Sequence, residues 1–119
     1  MIRVGYWYSV WEPHLPHPSS FIDTDWDSIE REIVAHYCDS GQVFEMYNGF
    51  STCRICGIMN GTKCLTDNVF RWPVGLSHYI RVHNVKPDPR FVAHAVECTA
   101  NGPLLSCGYP SSRRRERTK

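Results

Sequence analysis

A regular pattern of cysteines and histidines lies in residues 53–83, CRICGIMNGTKCLTDNVFRWPVGLSHYIRVH. Two residues separate Cys53 from Cys56, four separate His78 from His83, and 21 lie between the two pairs. Two thiolates from a tight turn and two imidazoles from one helix can complete a tetrahedron around Zn²⁺, and the spacing within each pair is usual for such sites. The pattern therefore predicts one zinc ion bound by these four residues.

The predicted metal site is closed. Four protein ligands leave no coordination position for water, which favours a structural role over a catalytic one. The chain also has no Ser-His-Asp order, no glycine-rich phosphate loop and no paired-carboxylate motif. We therefore expect a zinc cofactor and no enzymatic activity. The alternative is that Cys53 and Cys56 are core thiols and that His78 and His83 are surface residues of a helix.

The residues next to the cysteines agree with a metal-binding turn. Gly57 allows the turn after Cys56 to bring backbone N–H groups towards the sulfurs, because glycine has no Cβ in the way. The 21-residue separation exceeds the ~12 residues of the common DNA-binding finger. An inserted hairpin over residues 60–72 would account for the excess.

The composition is that of one folded domain. The chain has 119 residues, of which 42% are hydrophobic and 21% charged, and this balance excludes a disordered chain. No apolar run approaches the ~18 residues that a membrane-spanning helix needs. The N-terminal residues MIRVGYWYSVWE do not resemble a secretory signal, so we expect a cytoplasmic protein whose six cysteines are reduced.

The charge is distributed unevenly. The formal net charge is +1, but residues 111–119 carry +4 and the remaining chain carries −3. A mildly acidic body lacks the broad basic face that phosphate binding requires. Nucleic-acid binding would therefore depend on the tail, with a small contribution from the finger helix. The basic residues concerned are Arg81 and Lys86 at the finger helix and Arg113, Arg114, Arg115 and Arg117 in the tail.

Helical spacing of apolar residues predicts three helices. The first covers residues 25–39, capped by Thr24 or Asp25, with Trp26, Ile29, Ile33 and Tyr37 on its apolar stripe. The second begins at Pro73, covers about ten residues and includes both histidines. A third, short helix begins near Asp88.

Alternating and β-branched residues predict a small antiparallel sheet. A long strand covers residues 2–11, and an Asn-Gly turn at residues 48–49 indicates a hairpin. The further strands are residues 42–47, 50–53, 62–66 and 69–72. The fold class is therefore α+β, a small antiparallel sheet with two or three helices around a structural Cys2His2 zinc site. One zinc-stabilised domain covers residues 1–97, with a zinc module over 47–95, and residues 98–119 form an irregular segment with a basic tail.

The sequence leaves two questions open. His94, Cys98, Cys107 and Cys38 could form a second metal site, although such spacings recur by chance and a buried cysteine is usually a small core residue. Trp7 and Trp11 would share one strand face. We expect both to lie in the core, and the alternative is an exposed binding patch.

The stretch CRICG, followed by NG and by LTDNVFRWPVGLSHYIRVHNVKPDPRFV, resembles a group of small bacterial proteins. These share a CRxCG turn and a TDG-x-WP-x-GL-x-HY-x3-H-x-V-x2-P-x2-F segment, and the resemblance covers about residues 47–95. It implies that Cys53, Cys56, His78 and His83 are the zinc ligands. It implies no activity, because none is known for the group.

The resemblance also implies that the start of the second helix is shaped by Trp72, Pro73, Gly75 and Leu76. Asn68 stands where glycine is usual in the group, which leaves the tightness of that turn open.

Two classes of function fit these observations. We expect a zinc-stabilised binding or adaptor module of a bacterium or its phage that acts through protein–protein interaction. The alternative is a nucleic-acid-binding zinc-finger protein that uses the arginine cluster and the finger helix. The scarcity of basic residues outside the tail favours a protein partner.

Overall fold

The computed structural model of the chain describes residues 1–46, 49 and 51–101. These residues form an α+β fold, as the sequence predicts, with a four-stranded sheet and three α-helices. The strands are β1 (Ile2–Arg3), β2 (Gln42–Met46), β3 (Lys63–Thr66) and β4 (Phe70–Pro73), and the helices are α1 (Ser28–Asp39), α2 (Leu76–His83) and α3 (Pro89–Ala100). None of these helices is long and apolar enough to cross a membrane.

The sheet is mixed instead of wholly antiparallel. Its strand order is β1-β4-β3-β2, with β1 parallel to β4 and the other neighbours antiparallel. The β3–β4 hairpin closes through Asn68, which has a φ of 75°. Asparagine tolerates this left-handed conformation better than most residues, so the tight turn forms without a glycine.

The predicted strand at residues 2–11 is wrong after Arg3. Gly5 has a φ of 76°, which takes the chain out of the extended conformation. The backbone N–H of Tyr8 then donates to the carbonyl of Pro16, so the chain folds back on itself instead of pairing with the sheet.

The predicted hairpin between residues 42–47 and 50–53 is also wrong. β2 pairs with β3, and residues 51–61, which contain both metal-site cysteines, lie between these strands in the sequence. Thr52 forms a single bridge with Met59 and belongs to no regular strand. Asn48 lies outside the described residues.

Helix α1 begins three residues later than predicted. Asp27 caps it, because its carboxylate accepts the N–H of Glu30 at 2.8 Å. The buried face also differs from the prediction, since Ile29 is 71% exposed. The buried side chains of α1 are Val34, Ala35, Tyr37 and Cys38.

Helices α2 and α3 also differ from their predicted limits. Pro73 is the last residue of β4, so α2 begins only at Leu76. It ends where Asn84 adopts the left-handed conformation and donates its N–H to the carbonyl of Tyr79. Helix α3, capped by Asp88, continues to Ala100, so the expectation that the chain is irregular from Cys98 is wrong for its first three residues.

The main core lies between the sheet and the helices. Trp72 on β4 is fully buried, packs against Phe91 of α3, and donates its indole N–H to the carbonyl of Cys38 at 3.1 Å. A second, smaller cluster consists of the predicted ligand Cys53 with Tyr79 and Val85. The predicted ligands therefore lie next to a small hydrophobic cluster that is separate from the main core.

Candidate metal centre

The four residues predicted to bind metal come together in the structure. Cys53, Cys56, His78 and His83 each offer one ligand atom, and these atoms all lie within 4.8 Å of one another. Cys53 is buried, Cys56 is exposed, and the two histidines are half-buried. A group of this composition could hold a metal ion.

The cysteines lie in a small closed turn over residues 51–61, which we call the metal turn. Its two ends are joined by the bridge between Thr52 and Met59. Inside it, the carbonyl of Cys53 accepts the N–H of Gly57 at 2.9 Å, and Gly57 has a φ of 81°. Other residues adopt this conformation at a cost, so glycine sets the tightness of the turn.

Backbone N–H groups surround the sulfur of Cys53. Those of Ile55 and Cys56 point to Sγ at 3.4 and 3.5 Å. Burial raises the pKa of the Cys53 thiol, but these N–H groups, together with the side chains of Cys56 and Tyr79, outweigh it and lower the pKa below its ordinary value. The turn therefore favours the thiolate, which is the form that binds metal.

Helix α2 supplies both imidazoles. The ring centroids of His78 and His83 are 5.1 Å apart, and Nε2 of His78 lies 3.4 Å from Sγ of Cys56. Burial and the neighbouring His83 both lower the pKa of His78. This favours the neutral imidazole, which is the form that coordinates metal.

Nε2 of His83 is buried and has no hydrogen-bond partner among the described residues. A buried polar atom without a partner costs free energy, and native structures rarely leave one unsatisfied. Coordination to a metal ion would satisfy this nitrogen. The four residues therefore fit a metal ion for two reasons. Their side chains are usual metal ligands, and Nε2 of His83 has no other partner among the described residues.

Two contacts outside the ligand set hold the metal turn against α2. The hydroxyl of Tyr79 accepts the N–H of Arg54 at 2.8 Å, and Asn60 donates from Nδ2 to the carbonyl of Gly75 at 3.2 Å. A Cβ at Gly75 would lie 2.3 Å from Asn60, so only glycine allows this approach. The roles of Tyr79 and Asn60 could not be predicted from the sequence, because their contacts join residues 25 and 15 positions apart, which no local pattern shows.

Arg81 and Lys86, the two predicted nucleic-acid residues in the described part of the chain, do not form a basic face. Arg81 on α2 is paired with Glu32 at 2.8 Å and with Asp39 at 2.7 Å. Lys86 lies beyond the end of α2, with Nζ 5.5 Å from the ring centroid of Trp26. Arg113, Arg114, Arg115 and Arg117 lie outside the described residues.

The structure also bears on the second metal site. Nε2 of His94 lies 3.6 Å from Sγ of Cys98, but it is closer to the Asp67 carboxylate, at 3.0 Å. Cys107 lies outside the described residues. In residues 1–46, 49 and 51–101, one cluster with three or more potential ligands is found, and it is the Cys2His2 group.

Trp7 and Trp11 have different environments. Trp7 packs against Phe21 and Tyr79 and is half-buried. It was expected in the core, and it packs against the core without being fully enclosed by it. Trp11 is 88% exposed, so the expectation that it lies in the core is wrong. The physical reason is the irregular path after Gly5, which places the two side chains in different surroundings.

The chain matches no protein-family model, no curated protein and no solved structure.

Proposed function

We propose that this protein is a zinc-stabilised module that binds another protein, in a bacterium or its phage, through a surface beside the metal site. The exposure of Trp11 next to the metal turn carries the proposal.

Zinc is the metal that the ligand set favours. Two thiolates and two imidazoles are typical of structural zinc sites, while Mg²⁺ and Ca²⁺ prefer oxygen. In a zinc tetrahedron, ligand distances of ~2.3 Å to sulfur and ~2.0 Å to nitrogen place S and N about 3.5 Å apart. The separation between Sγ of Cys56 and Nε2 of His78 is 3.4 Å. Bound here, zinc would cross-link the metal turn to α2 and would supply folding free energy.

The protein-binding surface is a shallow groove of about 550 Å³, which we call the Trp11 groove. One wall is the turn at residues 8–11, and the other is Gly49 with Ser51, Thr52 and Arg54 of the metal turn. Trp11 is 88% exposed and Val10 is 76% exposed. Tryptophan is enriched among the residues that dominate binding energy at protein interfaces, and exposed apolar clusters mark such surfaces.

The turn that presents Trp11 is fixed by hydrogen bonds. The N–H of Glu12 donates to both the carbonyl and the hydroxyl of Ser9, at 3.1 Å in each case. The carboxylate of Glu12 is in turn held by Arg3 at 3.0 Å. Because the turn is pre-organised, little ordering entropy opposes binding.

The nucleic-acid alternative has less support. Arg81 is neutralised by two carboxylates, so α2 does not present it to phosphates. Several clustered cations are needed to bind a nucleic-acid backbone at physiological salt. The basic tail remains the source of any such affinity.

Affinity capture from the source organism tests the proposal. The baits are the zinc-loaded wild type, Trp11→Ser, and Ile29→Ser as a matched loss of an exposed apolar side chain on α1. We expect a protein that wild type and Ile29→Ser retain and Trp11→Ser loses, and that binds again when purified. Capture that is independent of Trp11, or that nuclease treatment abolishes, would contradict the proposal.

A further inference from the structure

We propose that the Trp11 groove recognises a peptide segment of the partner that carries an acidic residue, with the carboxylate paired to Arg54 and a neighbouring apolar side chain against Trp11. This inference rests on the proposed function and specifies the chemistry of the ligand. Three observations support it.

First, Arg54 is built into the groove and joins its two walls. Its Nε donates to the carbonyl of Tyr8 at 2.8 Å, and its Nη1 donates to the carbonyl of Thr52. Its backbone N–H is held by the hydroxyl of Tyr79 at 2.8 Å. The guanidinium is therefore fixed in position before any ligand arrives.

Second, the charge of Arg54 has no counterion among the described residues. Both of its side-chain partners are neutral carbonyls. The carboxylate that shares a neighbouring cavity with it, Glu12, is already bonded to Arg3 at 3.0 and 3.3 Å. A guanidinium has five N–H donors, and the two carbonyls leave others able to bind a carboxylate.

Third, the surroundings favour a peptide over a nucleic acid. One unpaired arginine suits one carboxylate, whereas a polyanion needs several clustered cations. The exposed side chains of Tyr8, Val10 and Trp11 beside Arg54 offer apolar area to the residues that flank the acid. An aspartate or glutamate next to a large apolar residue satisfies both features.

A random 12-residue peptide-display library, selected on the zinc-loaded full chain, tests this inference. We expect enrichment of Asp or Glu beside an apolar residue. A selected peptide and its Glu→Gln or Asp→Asn analogue are then synthesised, and their dissociation constants are measured by calorimetry. The analogue should bind about tenfold or more weakly to wild type, as loss of a charge-assisted hydrogen bond implies.

Four variants make the result specific. Arg54→Gln should bind the acidic peptide and its amide analogue equally weakly, and Trp11→Ser should weaken both peptides. Arg54→Lys retains the charge and should keep part of the preference for the acid. Arg71→Gln, on β4 outside the groove, should behave as wild type. Zinc content and melting temperature show whether each variant folds. If Arg54→Gln does not fold, Arg54→Lys tests the role of Arg54 in its place.

The outcomes separate this inference from the proposed function. Trp11-dependent peptides without an acidic preference would overturn the inference and leave a protein-binding groove. Selection of no peptide would also overturn it, while affinity capture decides the proposed function independently. Single-stranded oligonucleotides that bind wild type but not Arg54→Gln would assign the groove to nucleic acid instead.

Discussion

The imidazole of His94 on α3 donates from Nε2 to the fully buried carboxylate of Asp67, in the β3–β4 turn, at 3.0 Å. The hydroxyl of Tyr37 on α1 donates to the same carboxylate. The other carboxylate oxygen accepts the N–H groups of Val69 and Phe70 at 2.9 and 2.8 Å. One buried side chain thus ties a hairpin of the sheet to two helices.

Replacing Asp67 with asparagine should therefore destabilise the fold. An amide has only one acceptor oxygen, so its NH₂ group must face two hydrogen-bond donors. These donors are Tyr37 and His94 if the NH₂ lies at the position of Oδ2, and the N–H groups of Val69 and Phe70 if it lies at Oδ1. At least one hydrogen bond to a charged group is therefore lost. We expect the free energy of unfolding to fall by about 1.5–3 kcal/mol. Urea unfolding measures the change, and Asp25→Asn on the exposed surface is the control, expected within about 0.5 kcal/mol of wild type.

The same carboxylate should make stability depend on pH. Burial raises the pKa of Asp67, but the hydrogen bonds from His94, Phe70, Tyr37 and Val69 outweigh it and hold the pKa below its ordinary value. A lowered folded-state pKa contributes stability that is fully present above the unfolded value, ~3.9, and that disappears as the pH falls through the folded value.

The stability difference between wild type and Asp67→Asn should therefore be constant near neutral pH and shrink in acid. Urea titrations at a series of pH values measure it. A difference that grows as the pH falls would contradict the assigned direction.

Metal content provides a further test. Cys56→Ser removes one ligand, and because structural zinc binding is coupled to folding, most of its contribution, ~10–16 kcal/mol in small fingers, should be lost. We expect elemental analysis to find one zinc per chain in wild type and none in a largely unfolded Cys56→Ser. Cys38→Ala, a buried cysteine outside the ligand set, should keep its zinc. A Cys56→Ser protein with unchanged zinc and melting temperature would refute the ligand assignment.

Tyr79 should affect metal affinity without binding the metal. Its hydroxyl holds the N–H of Arg54 and assists the thiolate of Cys53, so Tyr79→Phe loosens the metal turn. Mutations of residues that orient ligands typically lower metal affinity 10- to 100-fold. Competition with a chromophoric chelator measures this, with the exposed Tyr8→Phe as control. Equal affinities in the two variants would show that the hydroxyl is not needed.

The basic tail should be dispensable for folding. Residues 111–119 contain no apolar side chain to bury, and their like charges repel one another. A chain that ends at Pro110 should melt within about a degree of the full chain by circular dichroism. It should also lose any affinity for oligonucleotides, as fluorescence anisotropy at two salt concentrations would show. A melting temperature lowered by several degrees would mean that the tail packs on the body.

Local patterns predicted much of this structure correctly. The spacing of Cys53, Cys56, His78 and His83 identified the cluster, because ligand chemistry at short spacing is a local signal. The strands predicted at residues 62–66 and 69–72 correspond to β3 and β4, and Asn68 supplies the positive φ that the turn between them needs.

Features set by distant contacts were not predictable in this way. The Asn-Gly signal at residues 48–49 indicated a two-strand hairpin, but β2 pairs with β3 beyond the metal turn. Alternation in residues 2–11 indicated a strand, but a single left-handed residue, Gly5, ends it, and this left Trp11 on the surface. The network of Asp67 and His94 joins residues 27 positions apart, which no local pattern shows.

Helix α2 belongs to both hydrophobic clusters. Leu76 and Ile80 lie in the main core, while Tyr79 lies in the smaller cluster under the metal turn. The eight residues of α2 therefore pack both in the main core and under the metal turn. Unfolding of either region would remove packing contacts from the other. Loss of a metal ion from the metal centre should therefore also weaken the packing of α2 in the main core.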